Sequence, residues 1–244
     1  MNERNVEIAT EDGTLPAFAA HPEGEGAWPA VILYMDAPGV REELRNFTRR
    51  IAGEGYFCLL PDLYYRLGTL RFDIKNRDEE MNRQIRNARN SLTNAAVMRD
   101  TGSMLAFLDA DPSVKAGPKG CIGYCQSGRF IVTAAGSFPD QFAALASLYG
   151  IQIVTDEEDS PHLLADRIGD GELYLGFAEI DPLVPENVIP DLKAALDANG
   201  VAYTLEVHPG TRHGFCFPER PVYDEKAAEV VWGKVFDLYR RRLG

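Results

Sequence analysis

Lys119-Gly120-Cys121-Ile122-Gly123-Tyr124-Cys125-Gln126-Ser127-Gly128 is the stretch that decides how this chain is read. A short apolar run breaks at small residues and delivers Cys125 into a turn, after which Phe130-Ile131-Val132 begins an apolar helical pattern. A strand that passes at once into a helix needs glycines where the two elements approach. Gly123 and Gly128 flank the cysteine as in the pattern Gly-x-nucleophile-x-Gly, with the second glycine one position late because Ser127 stands in its place. A thiol in such a turn lies at a helix N-terminus, where free backbone N–H groups and the helix dipole favour the thiolate. The alternative is a buried structural cysteine, and for Cys121, inside the strand, that is the preferred reading.

A nucleophile on this kind of turn is followed along the chain by an acid and then a histidine. Glu172-Leu173-Tyr174-Leu175-Gly176-Phe177-Ala178 reads as a strand, and Glu179-Ile180-Asp181-Pro182 follows it as an acid-bearing loop. Asp181 precedes a proline, which disfavours a helix there, and it is preferred to Glu179 as the acid because it projects past the strand. A helical stretch over 186–199 closes at Gly200, and the strand Ala202–His208 then opens into Pro209-Gly210-Thr211-Arg212-His213-Gly214. His213, in a turn-rich loop, is preferred as the base over His208 at the strand end. His21 and His162 have no such setting.

Together these residues resemble the dienelactone hydrolase family. The marks are Gly123-Tyr124-Cys125 with Gly128, Tyr56 through Pro61-Asp62-Leu63-Tyr64, Phe177-Ala178-Glu179-Ile180-Asp181 with Val184-Pro185, and His213-Gly214-Phe215. The resemblance spans nearly the whole chain and implies an α/β-hydrolase fold, with a mostly parallel central sheet of about eight strands and helices on both faces. It also implies a single domain over residues 1–244. The family's cysteine, aspartate and histidine map onto Cys125, Asp181 and His213, the set already reached from order and context. The family further carries an acidic residue after the strand preceding the first helix, where it interacts with the cysteine. Asp36 stands there, one methylene shorter than the usual glutamate, and a helix-capping role is the alternative.

The activity implied is hydrolysis of a small ester, lactone or enol lactone through an acyl-enzyme, as in a carboxylic-ester hydrolase of the carboxymethylenebutenolidase type. The alternatives are a broad carboxylesterase without dienelactone activity, a binding scaffold that does not hydrolyse, and a cysteine peptidase. Two backbone donors for the oxyanion are expected at Gln126 and Ala37, since Pro38 has no N–H. The family's dienelactone-cleaving members hold a substrate carboxylate with arginines. Candidates here are Arg83 and Arg86 on a helix rich in both charges, whose alternative is a solvated face, with Arg212 beside the histidine. At the position where those members place an arginine this chain has Phe217, and Arg220 follows shortly after. Tyr64, after Pro61-Asp62, is a further candidate pocket residue.

Composition sets outer limits. A chain of 244 residues with 45% hydrophobic content suits one large α/β domain, burying about three quarters of its unfolded surface. Alternation over 5–10 and 15–20, joined by Glu11-Asp12-Gly13, predicts two antiparallel edge strands. One long helical pattern is expected from about Asp78 to Leu108, an excursion loop over 155–171, and an amphipathic C-terminal helix over 221–243. A net charge of −12 argues against nucleic acid, which needs clustered lysine and arginine, and against anionic membranes. No apolar run approaches a membrane span, and the N-terminus lacks the pattern of a leader, so a cytoplasmic location is expected. Cysteines at 58, 121, 125 and 216 form neither a disulfide framework nor a four-ligand metal site; no metal and no cofactor are expected. The expected partner is a small ester or lactone, and the expected assembly a monomer or homodimer.

Overall fold

The computed structural model describes residues 1–244, which divide into two compact units, 1–119 and 120–244. In the first, β1 (Asn2–Thr10) and β2 (Gly13–His21) form an antiparallel hairpin. β2 also pairs antiparallel with β4 (Phe57–Pro61), which pairs parallel with β3 (Ala30–Tyr34). Every residue of β3 and β4 is buried, and both read as unbroken apolar runs, as strands covered on both faces must. The hairpin therefore contributes one edge strand rather than the expected two. β2 is hydrogen-bonded on both sides, a consequence of non-local pairing that its alternation cannot reveal.

Helix α1 (Glu42–Gly53) packs on β2 and β4, burying Leu44, Phe47 and Ile51. The expected long helix over 78–108 is two helices, α2 (Glu79–Asn90) and α3 (Asn94–Ala110). The break falls at Ser91-Leu92-Thr93. Thr93 turns extended, with φ −106° and ψ 155°, and its side chain accepts from the Ala96 N–H, starting a new helix. Periodicity continues across the break and hides it, although the threonine cap is visible in the sequence.

The second unit carries the parallel strands β5 (Lys119–Tyr124, which begins at the boundary residue), β6 (Phe142–Leu148), β7 (Glu172–Ile180) and β8 (Tyr203–Arg212). β6 pairs parallel with β7 and β7 with β8. Helices α4 (Gly128–Ser137), α5 (Val188–Ala198) and α6 (Glu225–Leu243) belong to this unit, with α4 on β6 and α6 on β6 and β7. The excursion over 155–171 contains a 3₁₀ stretch, Pro161–Arg167. β8 runs four residues further than expected, through Arg212, with a register shift against β7 between Ala178 and Ile180. Bulged strand ends re-aim the side chains beyond them, and both Asp181 and His213 lie just past this one.

Candidate active site

Cys125 sits where β5 ends. A 3₁₀ turn, Cys125–Ser127, leads without a break into α4, and Cys125 has φ 55°. A side chain in the left-handed region is uncommon outside glycine, and such strain gathers at functional sites. Two glycines make the turn possible. A Cβ on Gly128 would lie 2.2 Å from the Gly150 Cα, and one on Gly123 would lie 2.7 Å from the Ser127 carbonyl oxygen. The Ile151 N–H donates to the Cys125 carbonyl at 3.0 Å, tying the turn to the segment that follows β6. Cys125 is 7% exposed and Gln126 fully buried.

The acid and base meet in the same unit. His213 Nδ1 lies 2.7 Å from Asp181 Oδ2, while Asp181 Oδ1 accepts the Leu183 N–H at 3.0 Å. One carboxylate oxygen is thus held by backbone and the other is presented to the imidazole, an arrangement that fixes the ring with its proton on Nδ1. Both side chains are largely buried, 13% exposed for His213 and 3% for Asp181. Burial by itself would lower the pKa of His213. The hydrogen bond to Asp181 and the interaction with Cys125 outweigh it and raise the pKa to about 9. The buried Nε2 has no well-formed hydrogen bond, yet the Cys125 sulfur is close enough to favour the charged ring. With Nδ1 taken by Asp181, Nε2 is the ring nitrogen left for a proton transfer.

The competing residues are engaged elsewhere. Glu179 accepts the Gly210 N–H at 2.7 Å, pinning the end of β8. His208 is buried, with Nε2 3.2 Å from the Tyr174 hydroxyl, and burial lowers its pKa. His21 stacks on Trp28 and Phe57, and His162 Nδ1 bonds the Ser160 hydroxyl. Cys121 is fully buried in β5, and burial pushes its thiol up. Cys216 is buried too. Phe217 is core, edge-on to Tyr124 at 5.1 Å and covered by the Arg220 guanidinium 4.8 Å above its ring. Arg212 is exposed.

In the first unit, Asp36 is fully buried and grips Arg41 with both oxygens, at 2.5 and 3.1 Å. It does not cap α1, whose N-cap residue is Arg41. The Ala37 carbonyl accepts from the buried Tyr64 hydroxyl at 2.7 Å. Arg83 is exposed and paired with Glu80 on its own helix, and Arg86 is exposed on the same helix. No group of three or more histidine, cysteine or acidic side chains is placed to hold a metal ion. No helix is long and apolar enough to cross a membrane.

One residue that the sequence does not single out is Tyr149. It follows β6 with φ 37°, fully buried, its ring edge-on to His213 with centroids 5.1 Å apart. The only sequence signal is its place before Gly150, directly after an apolar strand.

Eight mostly parallel strands interleaved with helices, with a cysteine turn, an acid and a histidine at strand ends, define an α/β-hydrolase. The chain belongs to the dienelactone hydrolase family, whose model matches residues 15–243, and it is a hydrolase acting on ester or lactone bonds. A Synechocystis sp. protein provisionally named carboxymethylenebutenolidase is 30% identical over 98% of this chain and 96% of its own length. A solved structure from Klebsiella pneumoniae subsp. pneumoniae, provisionally named dienelactone hydrolase, superimposes with TM-score 0.87 at 23% identity, covering 98% of each chain. The dienelactone hydrolase of Anabaena variabilis does so with TM-score 0.72 at 17% identity, over 100% of this chain and 99% of its own.

Proposed function

We propose that this protein hydrolyses a small enol lactone or activated ester through Cys125, His213 and Asp181. The observation that carries the reading is the buried pairing of Asp181 with His213 Nδ1, which leaves Nε2 as the ring nitrogen available to the neighbouring Cys125. An imidazole beside a thiol can take the thiol proton as the sulfur attacks. The thiolate attacks the carbonyl carbon, and the carbonyl π electrons move to oxygen. The Gln126 N–H, at the start of the helical turn, is a donor to that oxyanion. When the oxyanion collapses, the bond to the leaving oxygen breaks, and His213 Nε2 gives that oxygen its proton. The same nitrogen then takes a proton from water as it attacks the thioester. Collapse releases the acid and restores the thiolate. Asp181 keeps the ring oriented and offsets its charge throughout.

The leaving group of an enol lactone is an enolate oxygen, which departs without a strong acid, and it suits a base that also serves as a modest acid. The family names of the relatives support this substrate class. The family match runs through both compact units, which supports a single functional domain. Free cysteines at all four positions suit a reducing compartment, the cytoplasm. Turnover of p-nitrophenyl acetate and of a dienelactone by wild type and Cys125→Ala is the test. Loss of both activities in the variant supports the reading, and wild-type rates in the variant refute it. Hydrolysis of the simple ester alone, without the lactone, makes the enzyme a general carboxylesterase.

A further inference from the structure

We propose that Tyr149 is the positioning residue that holds the base against the thiol, an inference that rests on the catalytic reading above. Three contacts place it. Its backbone N–H donates to the Gly176 carbonyl at 2.6 Å, on the strand that carries Asp181 five residues later. Two residues on, the Ile151 N–H holds the Cys125 carbonyl, and Gly150 between them lies against Gly128. The Tyr149 ring meets His213 edge-on, at 5.1 Å and 68°, and is braced behind by Phe215 at 5.5 Å and Tyr124 at 6.0 Å. Tyr149 therefore touches the acid's strand and the base's loop itself, and the two residues after it pack on the thiol's turn.

The backbone supports this role. A fully buried tyrosine at φ 37° is an outlier for so large a side chain, and such conformations persist only where the surroundings over-determine them. Ordinary packing needs no such conformation, since a core ring fits equally well from a regular strand. Here the left-handed turn swings the ring off the strand direction and onto the imidazole. The hydrogen bond to Asp181 fixes one edge of that imidazole and leaves it free to tilt about the bond. The edge-on tyrosine removes the tilt. Nε2 has no well-formed hydrogen bond of its own to hold it, so the aim of the base toward Cys125 depends on this aromatic wall. Misplacement by about 1 Å is enough to cost roughly 100-fold in rate.

Tyr149→Phe keeps the ring and loses only the hydroxyl, and it is expected to retain kcat within threefold. Tyr149→Leu removes the ring and is expected to lower kcat about 10- to 100-fold with KM within twofold of wild type. A core residue with no positioning role would lower the folded fraction without splitting kcat from KM. By NMR, the His213 Nδ1 proton is expected as a sharp downfield signal in wild type and the Phe variant, broadened or lost in the Leu variant. If the Leu variant does not fold, Tyr149→Met fills the volume without a ring and carries the same expectation. In wild type alone, a nuclear Overhauser contact between the Tyr149 and His213 ring protons is expected. A Leu or Met variant with kcat within twofold of wild type, or absence of that contact, overturns the inference. Cys125→Ala separates the two levels: an active Ala variant overturns the catalytic reading itself. An inactive one beside an unaffected Tyr149→Leu overturns only the positioning role.

Discussion

Raising the pH through the alkaline range should cost this protein stability through His213, and replacing Asp181 should reduce that cost. The folded-state pKa of His213 is raised from 6.5 to about 9. A group whose pKa is higher folded than unfolded stabilises the fold while it is protonated, so its contribution is complete below pH 6.5 and is lost as pH rises through 9. At about 1.4 kcal/mol per pH unit, the rise amounts to roughly 3 kcal/mol. No discount for solvent is called for, because the ring is 13% exposed and its partner carboxylate 3%. The sources are the Asp181 hydrogen bond and the Cys125 interaction, both acting against burial. In Asp181→Asn the largest of the raising contributions is lost while that of Cys125 remains, and the imidazole pKa should fall. Urea unfolding at pH 6 and pH 9.5 measures this directly, with other alkaline titrations cancelling in the comparison. Wild type should lose more stability than the Asn variant between the two pH values, by the Asp181 share of that roughly 3 kcal/mol. Equal losses in both proteins would show that Asp181 is not what holds the imidazolium, and the proposed role of the pair would fall.

Other outcomes follow from the same geometry. His213→Gln should lose ester hydrolysis by several orders of magnitude, whereas His208→Gln, whose partner is the Tyr174 hydroxyl, should keep kcat within severalfold; a p-nitrophenyl ester assay separates them. Gly128→Ala places a methyl 2.2 Å from the Gly150 Cα. It should cost about 1–3 kcal/mol or more, read as a Tm lower by roughly 2–4 °C per kcal/mol, together with lost activity as the cysteine turn shifts. Asp36→Ala takes both oxygens from the nearly buried Arg41 guanidinium and should destabilise by about 3 kcal/mol, measured by urea unfolding. Arg83→Ala, on an exposed helix face with its Glu80 partner equally exposed, should change stability by less than about 0.5 kcal/mol.

Much of this architecture is legible in the order of residues, because strand and helix periods and turn chemistry are local. The run from Lys119 to Gly128, the Asp181-Pro182 loop and the His213-Gly214 turn identify three chain segments and their order, and the family match over 15–243 agrees with that reading. What periodicity missed was non-local or masked. The α2–α3 break lies inside one continuous helical pattern, the double pairing of β2 depends on β4 forty residues away, and β8 continues through residues that read as turn.

Residue types and their spacing thus determined by themselves the fold class and which cysteine, acid and histidine to consider, since those properties are written in short windows. Tertiary structure decided which polar groups were already engaged. Glu179 is occupied with Gly210, Asp36 with Arg41 and His208 with Tyr174, while Asp181 faces His213. It also decided that the imidazole pKa rises and that Tyr149 stands against the ring. These depend on distances between residues far apart in the chain, where burial and hydrogen bonding compete, and no local pattern encodes that balance.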